Sequence, residues 1–177
     1  SVILIIPSAS YRANPFMDAV TKLDLKVLVI TDKSQVFSEY FPEKVITINF
    51  EQWQESIENI RAWSVKFDLK AVIGVDEESI ILAANLSEFL GIKHNSLESV
   101  KLTKDKYLMR KALKDSGLKS PWFKRFSVNE TPKDIVTEIS FPCVLKPTFL
   151  SASQGVIRAD NVSEFCISFE ILSGLLS

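Results

Sequence analysis

Short apolar runs alternate, along the first half of the chain, with segments whose apolar residues recur every three or four positions. Val2–Ile6, Lys26–Ile30, Val45–Ile48 and Ala71–Val75 are rich in Val and Ile and bounded by polar or turn residues. Each has the length of a strand rather than a helix. Between them, Pro15–Leu23, a short stretch near Ser34–Tyr40 and Glu51–Phe67 carry helical patterning, the last with Trp53, Ile57, Ile60 and Ser64 on one face. Glu77–Leu90 continues the pattern through Ile80, Ile81, Ala84 and Leu86, with Gly91 as its terminator. Near-continuous apolar strands alternating with helices predict a parallel sheet covered on both faces. Residues 1–96 therefore read as a doubly wound α/β domain, whose ligands would sit beyond the carboxyl ends of the strands.

The second half is patterned differently. Thr103 is positioned to cap a helix with core positions Leu108, Met109, Ala112 and Leu113, ended by Gly117 and followed by Pro121. Trp122–Val128 reads as a strand and Thr131–Ile139 as a short helix. Phe141–Lys146 is a second strand with Pro142 near its start, Thr148–Gly155 a loop of small residues, Gly155–Ala159 a third strand and Val162–Leu172 a closing helix. Adjacent strands joined by a short loop predict an antiparallel hairpin, so residues 97–177 read as an α+β subdomain. The tail Phe165–Leu176 holds more apolar residues than one helix face needs, and self-association through it is expected.

Composition narrows the class. Of 177 residues, 46% are hydrophobic and 24% charged with a net charge of −1, which excludes a disordered chain. No apolar run approaches the roughly 20 residues of a spanning helix, so no membrane partner is expected. The apolar run after Ser1 has no basic region before it and is too short for a signal peptide. Cys143 and Cys166 form neither a CxxC pair nor a disulfide framework, which implies a reducing, cytoplasmic setting; both read as small core residues, and Trp53, Trp63 and Trp122 as packing. The net charge hides an asymmetry. Residues 1–96 hold nine Lys and Arg against thirteen Asp and Glu, whereas residues 97–177 hold twelve against nine. Nine basic residues fall within Lys101–Arg125, opposed only by Asp105 and Asp115. Such an excess points either to a polyanionic partner or to a solvated helix face. Nucleic acid is not expected: the cluster is read as lacking interleaved exposed aromatics, and the pI is about 5.9.

Three elements of the second half carry candidate chemistry. Lys106 lies in the first turn of its helix, where an anion is favoured and a cation is not, so either an anion-binding role or a plain surface lysine fits. Lys146 closes the run Phe141-Pro142-Cys143-Val144-Leu145, sharing a strand face with Val144, and on a covered face it would need an anionic partner; the alternative is a lysine reaching water. Ser151, Ser153, Gln154 and Gly155 belong to a turn whose small side chains let backbone N–H groups approach phosphate, though a plain flexible turn is the simpler reading. Asp76, Glu77 and Glu78 follow the fourth strand, where they would face a substrate or start the next helix. The first strand leads into Pro7-Ser8-Ala9-Ser10, which lacks the glycines of a dinucleotide fingerprint, and no Walker A motif is present. His94 is the only histidine, which excludes a multi-histidine metal site.

Taken together, residues 76–156 resemble the ATP-grasp superfamily, in the branch of biotin carboxylase and the carbamoyl-phosphate synthetase large subunit. The resemblance runs through Ala83-Ala84, Leu90-Gly91-Ile92, Asp105-Lys106, Met109-Arg110, Leu113, Gly117-Leu118, Pro121, Phe141 to Pro147 and Ser151 to Val156. The preceding α/β domain is similar to the family's pre-ATP-grasp domain. The resemblance implies that Lys106 and Lys146 reach the phosphates of ATP and that Ser151–Gly155 closes over them. It implies a ligase that uses ATP to activate a carboxylate or bicarbonate as an acyl phosphate, which an amine or other nucleophile then attacks. The loop departs from the family pattern, with Gly155 its only glycine and Gln154 where an arginine is common. The resemblance also implies that Mg2+ ligands, much of the adenine pocket and a catalytic arginine lie in a further lobe, supplied in cis or in trans. The alternative is a truncated, non-catalytic module that binds a nucleotide or a partner.

Overall fold

Strand β1, Val2–Ile5, forms the middle of a parallel four-stranded sheet in the computed structural model, which describes residues 1–33 and 45–177. The other strands are β2 (Val27–Thr31), β3 (Val45–Thr47) and β4 (Ala71–Gly74), in spatial order β3-β2-β1-β4. Val2 pairs with Val27 on one side and Ala71 on the other, so the register is flush. Alternation sends Ile3, Ile5, Leu28 and Ile30 to one face and Leu4, Ile6, Val27 and Val29 to the other. Helix α1 (Ala13–Lys22) covers the second face with Ala13, Met17 and Val20. Helices α2 (Ile57–Lys66) and α3 (Ile80–Phe89) cover the first with Ile60, Leu82, Ala83 and Leu86. The doubly wound reading thus holds, because both faces of the sheet are apolar and both are buried.

Helix boundaries moved where local chemistry outweighed periodicity. The expected helix Glu51–Phe67 is a 3-10 segment, Phe50–Ser56, followed by α2, because Gln52 departs from helical backbone angles. Trp53, Ile57 and Trp63 still pack on the core that Ile60 enters. Gly91 ends α3 as expected, with φ of +67°: its N–H reaches the Glu88 carbonyl and that of Ile92 the Ser87 carbonyl. The helical stretch near Ser34–Tyr40 lies outside the described residues.

The described residues divide into two compact units, Ser1–Lys101 and Leu102–Ser177. Thr103 does not cap the basic helix. It lies inside α4 (Leu97–Lys104), and the cap of α5 (Lys106–Asp115) is Asp105, whose carboxylate accepts from the N–H groups of Tyr107 and Leu108. An extended Asp105 separates the two helices and satisfies two donors at once. The short helix α6 (Pro132–Ile135) runs into a 3-10 turn, and β5 (Cys143–Leu145) pairs antiparallel with β6 (Ile157–Ala159) as expected, though both strands are shorter than the predicted runs and the connection takes up residues 146–156. Helix α7 extends from Val162 to Leu176, one turn longer than expected, and buries Phe165, Phe169 and Leu172.

The expected strand Trp122–Val128 does not form. Among the described residues no strand pairs with it, and side chains hold it instead: Phe123 stacks edge-on against Tyr107 at 5.7 Å, and the Arg125 guanidinium lies 4.7 Å from the same ring. Phe126 enters the core of this unit, which Ile135, Ala159, Phe165 and Phe169 build. Trp122 is 60% exposed and so is not a packing residue, unlike Trp53 and Trp63. Cys143 and Cys166 both pack on this core. No helix among the described residues is long and apolar enough to cross a membrane.

Candidate functional site

In the second unit, the start of α5 meets the loop that leaves β5. Lys106 is the first residue of α5; its N–H donates to the Thr148 carbonyl at 2.8 Å and its ammonium donates to the Leu150 carbonyl. The free N–H groups that make a helix start attractive to anions are all engaged here. Lys106 uses Thr148, Tyr107 and Leu108 use the Asp105 carboxylate at 2.8 and 2.9 Å, and Met109 uses the Asp105 carbonyl. The start of α5 therefore has no free N–H with which to bind an anion, since Asp105 already occupies that position. What Lys106 has left to offer a ligand is its half-buried ammonium, which carries three donors and spends one on Leu150.

Lys146 stands just past the end of β5 and is exposed, as is Val144 on the same face. The covered-face argument for an anionic partner does not apply. Among the described residues its ammonium makes no hydrogen bond or ion pair, so its charge stays available. Cys143 and Leu145 point the opposite way, toward the core, as alternation predicts. Burial, reinforced by the Asp160 carboxylate, pushes the Cys143 thiol pKa up.

The loop itself turns sharply. Ala152 and Ser153 adopt φ of 50° and 60°, and the Gln154 N–H bonds back to the Ser151 carbonyl at 3.0 Å. Ser151, Ser153 and Gln154 are exposed, and their side chains make no hydrogen bonds among the described residues. Two hydroxyls and an amide are donors of the kind phosphate oxygens accept, so this set fits a nucleotide's phosphates. Gly155 is the anchored end: a Cβ there would lie 2.8 Å from Leu172, 3.0 Å from Leu175 and 3.1 Å from Pro147. Of the basic cluster, Lys111 pairs with Asp115 at 2.6 Å and Lys124 with Glu138, so part of the local excess is neutralised within the fold.

In the first unit, the carboxyl edge of the sheet carries the other candidates. Asp76 and Glu77 follow β4, but neither carboxylate caps α3; Ser79 occupies that position, donating its hydroxyl to the Asp76 carbonyl at 2.9 Å. One carboxylate oxygen of Asp76 is buried with no hydrogen-bond partner among the described residues, and Glu77 is exposed. A cavity of about 510 Å3 opens at this edge, lined by Asp32, Thr47, Ile48, Asn49, Phe50, Glu51 and Glu78. It includes Glu78 but not Asp76 or Glu77. Sequence reasoning missed Asp32 and Asn49, although both lie within two residues of the end of a strand run, where a parallel sheet presents ligand-facing residues. Among the described residues no three His, Cys, Asp or Glu side chains are grouped to hold a metal ion.

The sheet, the hairpin and the lysine-bearing helix together have the fold of part of an ATP-grasp ligase, and the chain's homologues are ATP-grasp ligases. In sequence it is similar to the alanine–anticapsin ligase of Bacillus subtilis (strain 168), 32% identical over 103 residues, which is 58% of this chain and 22% of that ligase. In structure it is similar to an L-amino acid ligase from Bacillus licheniformis (TM-score 0.69, 22% identity), covering 98% of this chain and 42% of that one. It is also similar to an N5-carboxyaminoimidazole ribonucleotide synthetase in its ADP complex (TM-score 0.72, 13% identity, 98% of this chain and 44% of that one). A further match is the carboxyaminoimidazole ribonucleotide synthase of Aspergillus clavatus, solved with ATP (TM-score 0.66, 16% identity, 97% of this chain and 44% of that one). At these identities the solved structures speak for the fold alone. The chain thus spans less than half the length of the structures it matches, and no family model matches it.

Proposed function

We propose that this chain is the ATP-binding part of a ligase that activates a carboxylate, or bicarbonate, as an acyl phosphate for attack by an amine or other nucleophile. The observation that carries the reading is the junction in the second unit: the Lys106 ammonium sits on the loop that begins two residues after Lys146, which is unpaired among the described residues. Within that reading, Lys106 and Lys146 contact the nucleotide phosphates, and Ser151, Ser153, Gln154 and Gly155 cover them. Bound ATP supplies the phosphoryl group. The chain's own residues orient it with preorganised cations and hydroxyl donors. Mg2+ would take its ligands from protein outside residues 1–177, the further lobe provided in cis or in trans.

The carboxyl edge of the first unit is proposed as the substrate side. Asp76 favours that role because a buried carboxylate oxygen without a partner costs stability that a ligand's donor would recover. Asp32, Glu51 and Glu78 around the neighbouring cavity favour an ammonium-bearing substrate. The amino-acid ligases among the relatives point to a small amino acid as the carboxylate. A cytoplasmic setting, with no nucleic acid or membrane partner, belongs to the same reading. Ile167, Ile171 and Leu175 stand exposed along α7, and we read them as surface that further protein covers, the remaining lobe or a second copy.

Titrating Mg-ATP into the chain by calorimetry tests this, with Lys146→Ala beside it. Heat from the parent that disappears in the variant supports the reading. Equal binding by both removes Lys146 from the site. No heat from a folded parent favours the second reading, a non-catalytic module, for which the single glycine of the loop also speaks.

A further inference from the structure

The loop from Thr148 to Gly155 is held at both ends and exposed in the middle, where the Gln154 N–H closes a turn on the Ser151 carbonyl. At its exit, Gly155 is packed against Pro147, Leu172 and Leu175 with no room for a side chain. At its entry, Lys106 makes two bonds, from its N–H to the Thr148 carbonyl and from its ammonium to the Leu150 carbonyl. Between these anchors Ser151, Ala152, Ser153 and Gln154 are all exposed. We infer that Lys106 is a positioning residue whose ammonium pins the entry of this loop, so that only Ser151–Gln154 is free to move over a ligand.

Geometry makes the side-chain bond the decisive one. The Thr148 bond is backbone to backbone and survives any substitution at position 106 except proline. By itself it leaves Phe149, which is exposed, and Leu150 free to swing about a single attachment. A second bond two residues further on sets the direction in which the chain enters the turn. An ammonium has three donors, so the bond to Leu150 leaves others for ligand oxygens. The pin and a ligand contact are therefore compatible, and the position of the loop becomes coupled to whatever the ammonium holds.

This inference rests on the proposed reading of the segment as a phosphate-covering loop, but its test needs no nucleotide. Amide hydrogen exchange is measured on the parent, Lys106→Met and Lys106→Arg. Lys106→Met keeps the apolar stem and loses the donors, whereas Lys106→Arg restores donors at similar reach. The expected result is exchange faster by about tenfold at the Gln154 and Val156 amides in Lys106→Met, with the protected amides of β5 and β6 unchanged and the loop recovered in Lys106→Arg. Unchanged exchange at Gln154 and Val156 in Lys106→Met would overturn it. So would a rise shared equally by β5 and β6, since Lys106 would then support the whole unit and not the loop. Should Lys106→Met fail to fold, Lys106→Gln, whose shorter side chain stops short of Leu150, decides at the same amides. A chain that shows the pin but binds no Mg-ATP sinks the proposed function and leaves this inference standing. Binding without the pin separates them the other way.

Discussion

Ser8 donates to both oxygens of Asp32, its N–H at 2.6 Å to one and its hydroxyl at 3.0 Å to the other, so that the ends of two neighbouring strands are tied by one carboxylate. Partial burial pushes the Asp32 pKa up, but the two Ser8 bonds, its own N–H and Lys33 outweigh it, and the pKa lies below the ordinary 3.8. A carboxyl whose folded pKa is depressed contributes stability that is fully present above the unfolded value. That stability is lost as pH falls through the folded value. The carboxylate is exposed, so its bonds are worth about 1 kcal/mol after solvent screening. Asp32→Ala should lower the thermal midpoint at pH 7 by about 2–4 °C, and the gap to the parent should narrow as pH falls below 4. A gap that stays constant down to pH 2.5, or widens there, would show that the charge contributes nothing.

Asp105 is the cap that separates α4 from α5. Asp105→Ala should cost about 1 kcal/mol in denaturant unfolding, while Asp105→Asn, which caps as well, should cost a few tenths. Equal losses would mean that the charge of Asp105, and not its geometry as an acceptor, is what the helix start uses.

This cap also shows where the sequence stops being legible. The sheet could be read because both faces are buried, which leaves near-continuous Val- and Ile-rich runs of strand length between helical segments. The hairpin was legible from two apolar runs adjacent in sequence and separated by a loop of small residues, although the observed strands are shorter than those runs. The α4–α5 break was not: Thr103 and Asp105 are both good caps two residues apart, and only the pair of N–H groups that meet the Asp105 carboxylate decides between them. Trp122–Val128 has strand composition but finds no strand partner among the described residues, and two aromatic contacts to Tyr107 hold it instead, a tertiary arrangement that leaves no periodic mark. At the candidate site, Lys106 and Lys146 were marked by their positions, one opening a helix and one closing a strand. That Lys106 reaches Leu150, 44 positions away, had no local signal at all.

The thiol of Cys143 gives a second pH-dependent reading. Burial first, then the Asp160 carboxylate, disfavours the thiolate, so its pKa lies above the ordinary 9.0. With Cys166 replaced by Ser, alkylation of Cys143 by iodoacetamide should be slower than that of a free cysteine at pH 8, and its rate should still be climbing past pH 9. A rate that levels off below pH 9 would mean that the thiol faces water in solution.

Gly155 and Gly117 separate two reasons for a glycine within one unit. Both have positive φ, +67° and +75°, but a Cβ at Gly117 would meet nothing within 4 Å, whereas at Gly155 it would meet Leu172, Leu175 and Pro147 at 2.8 to 3.1 Å. Gly117→Ala should therefore cost only the left-handed backbone, about 1 kcal/mol. Gly155→Ala should cost that and overpacking besides, about 2–4 kcal/mol in all, because Leu172 is buried and the proline ring cannot turn aside. The contacts supply an internal check. Leu175 is exposed, so Leu175→Ala alone should change stability little, yet in the Gly155→Ala background it should recover part of the loss by making room. Denaturant unfolding of the four variants measures all of this. Equal costs at the two glycines, or strict additivity of Gly155→Ala with Leu175→Ala, would mean that the close packing of the loop exit on α7 is not present in solution.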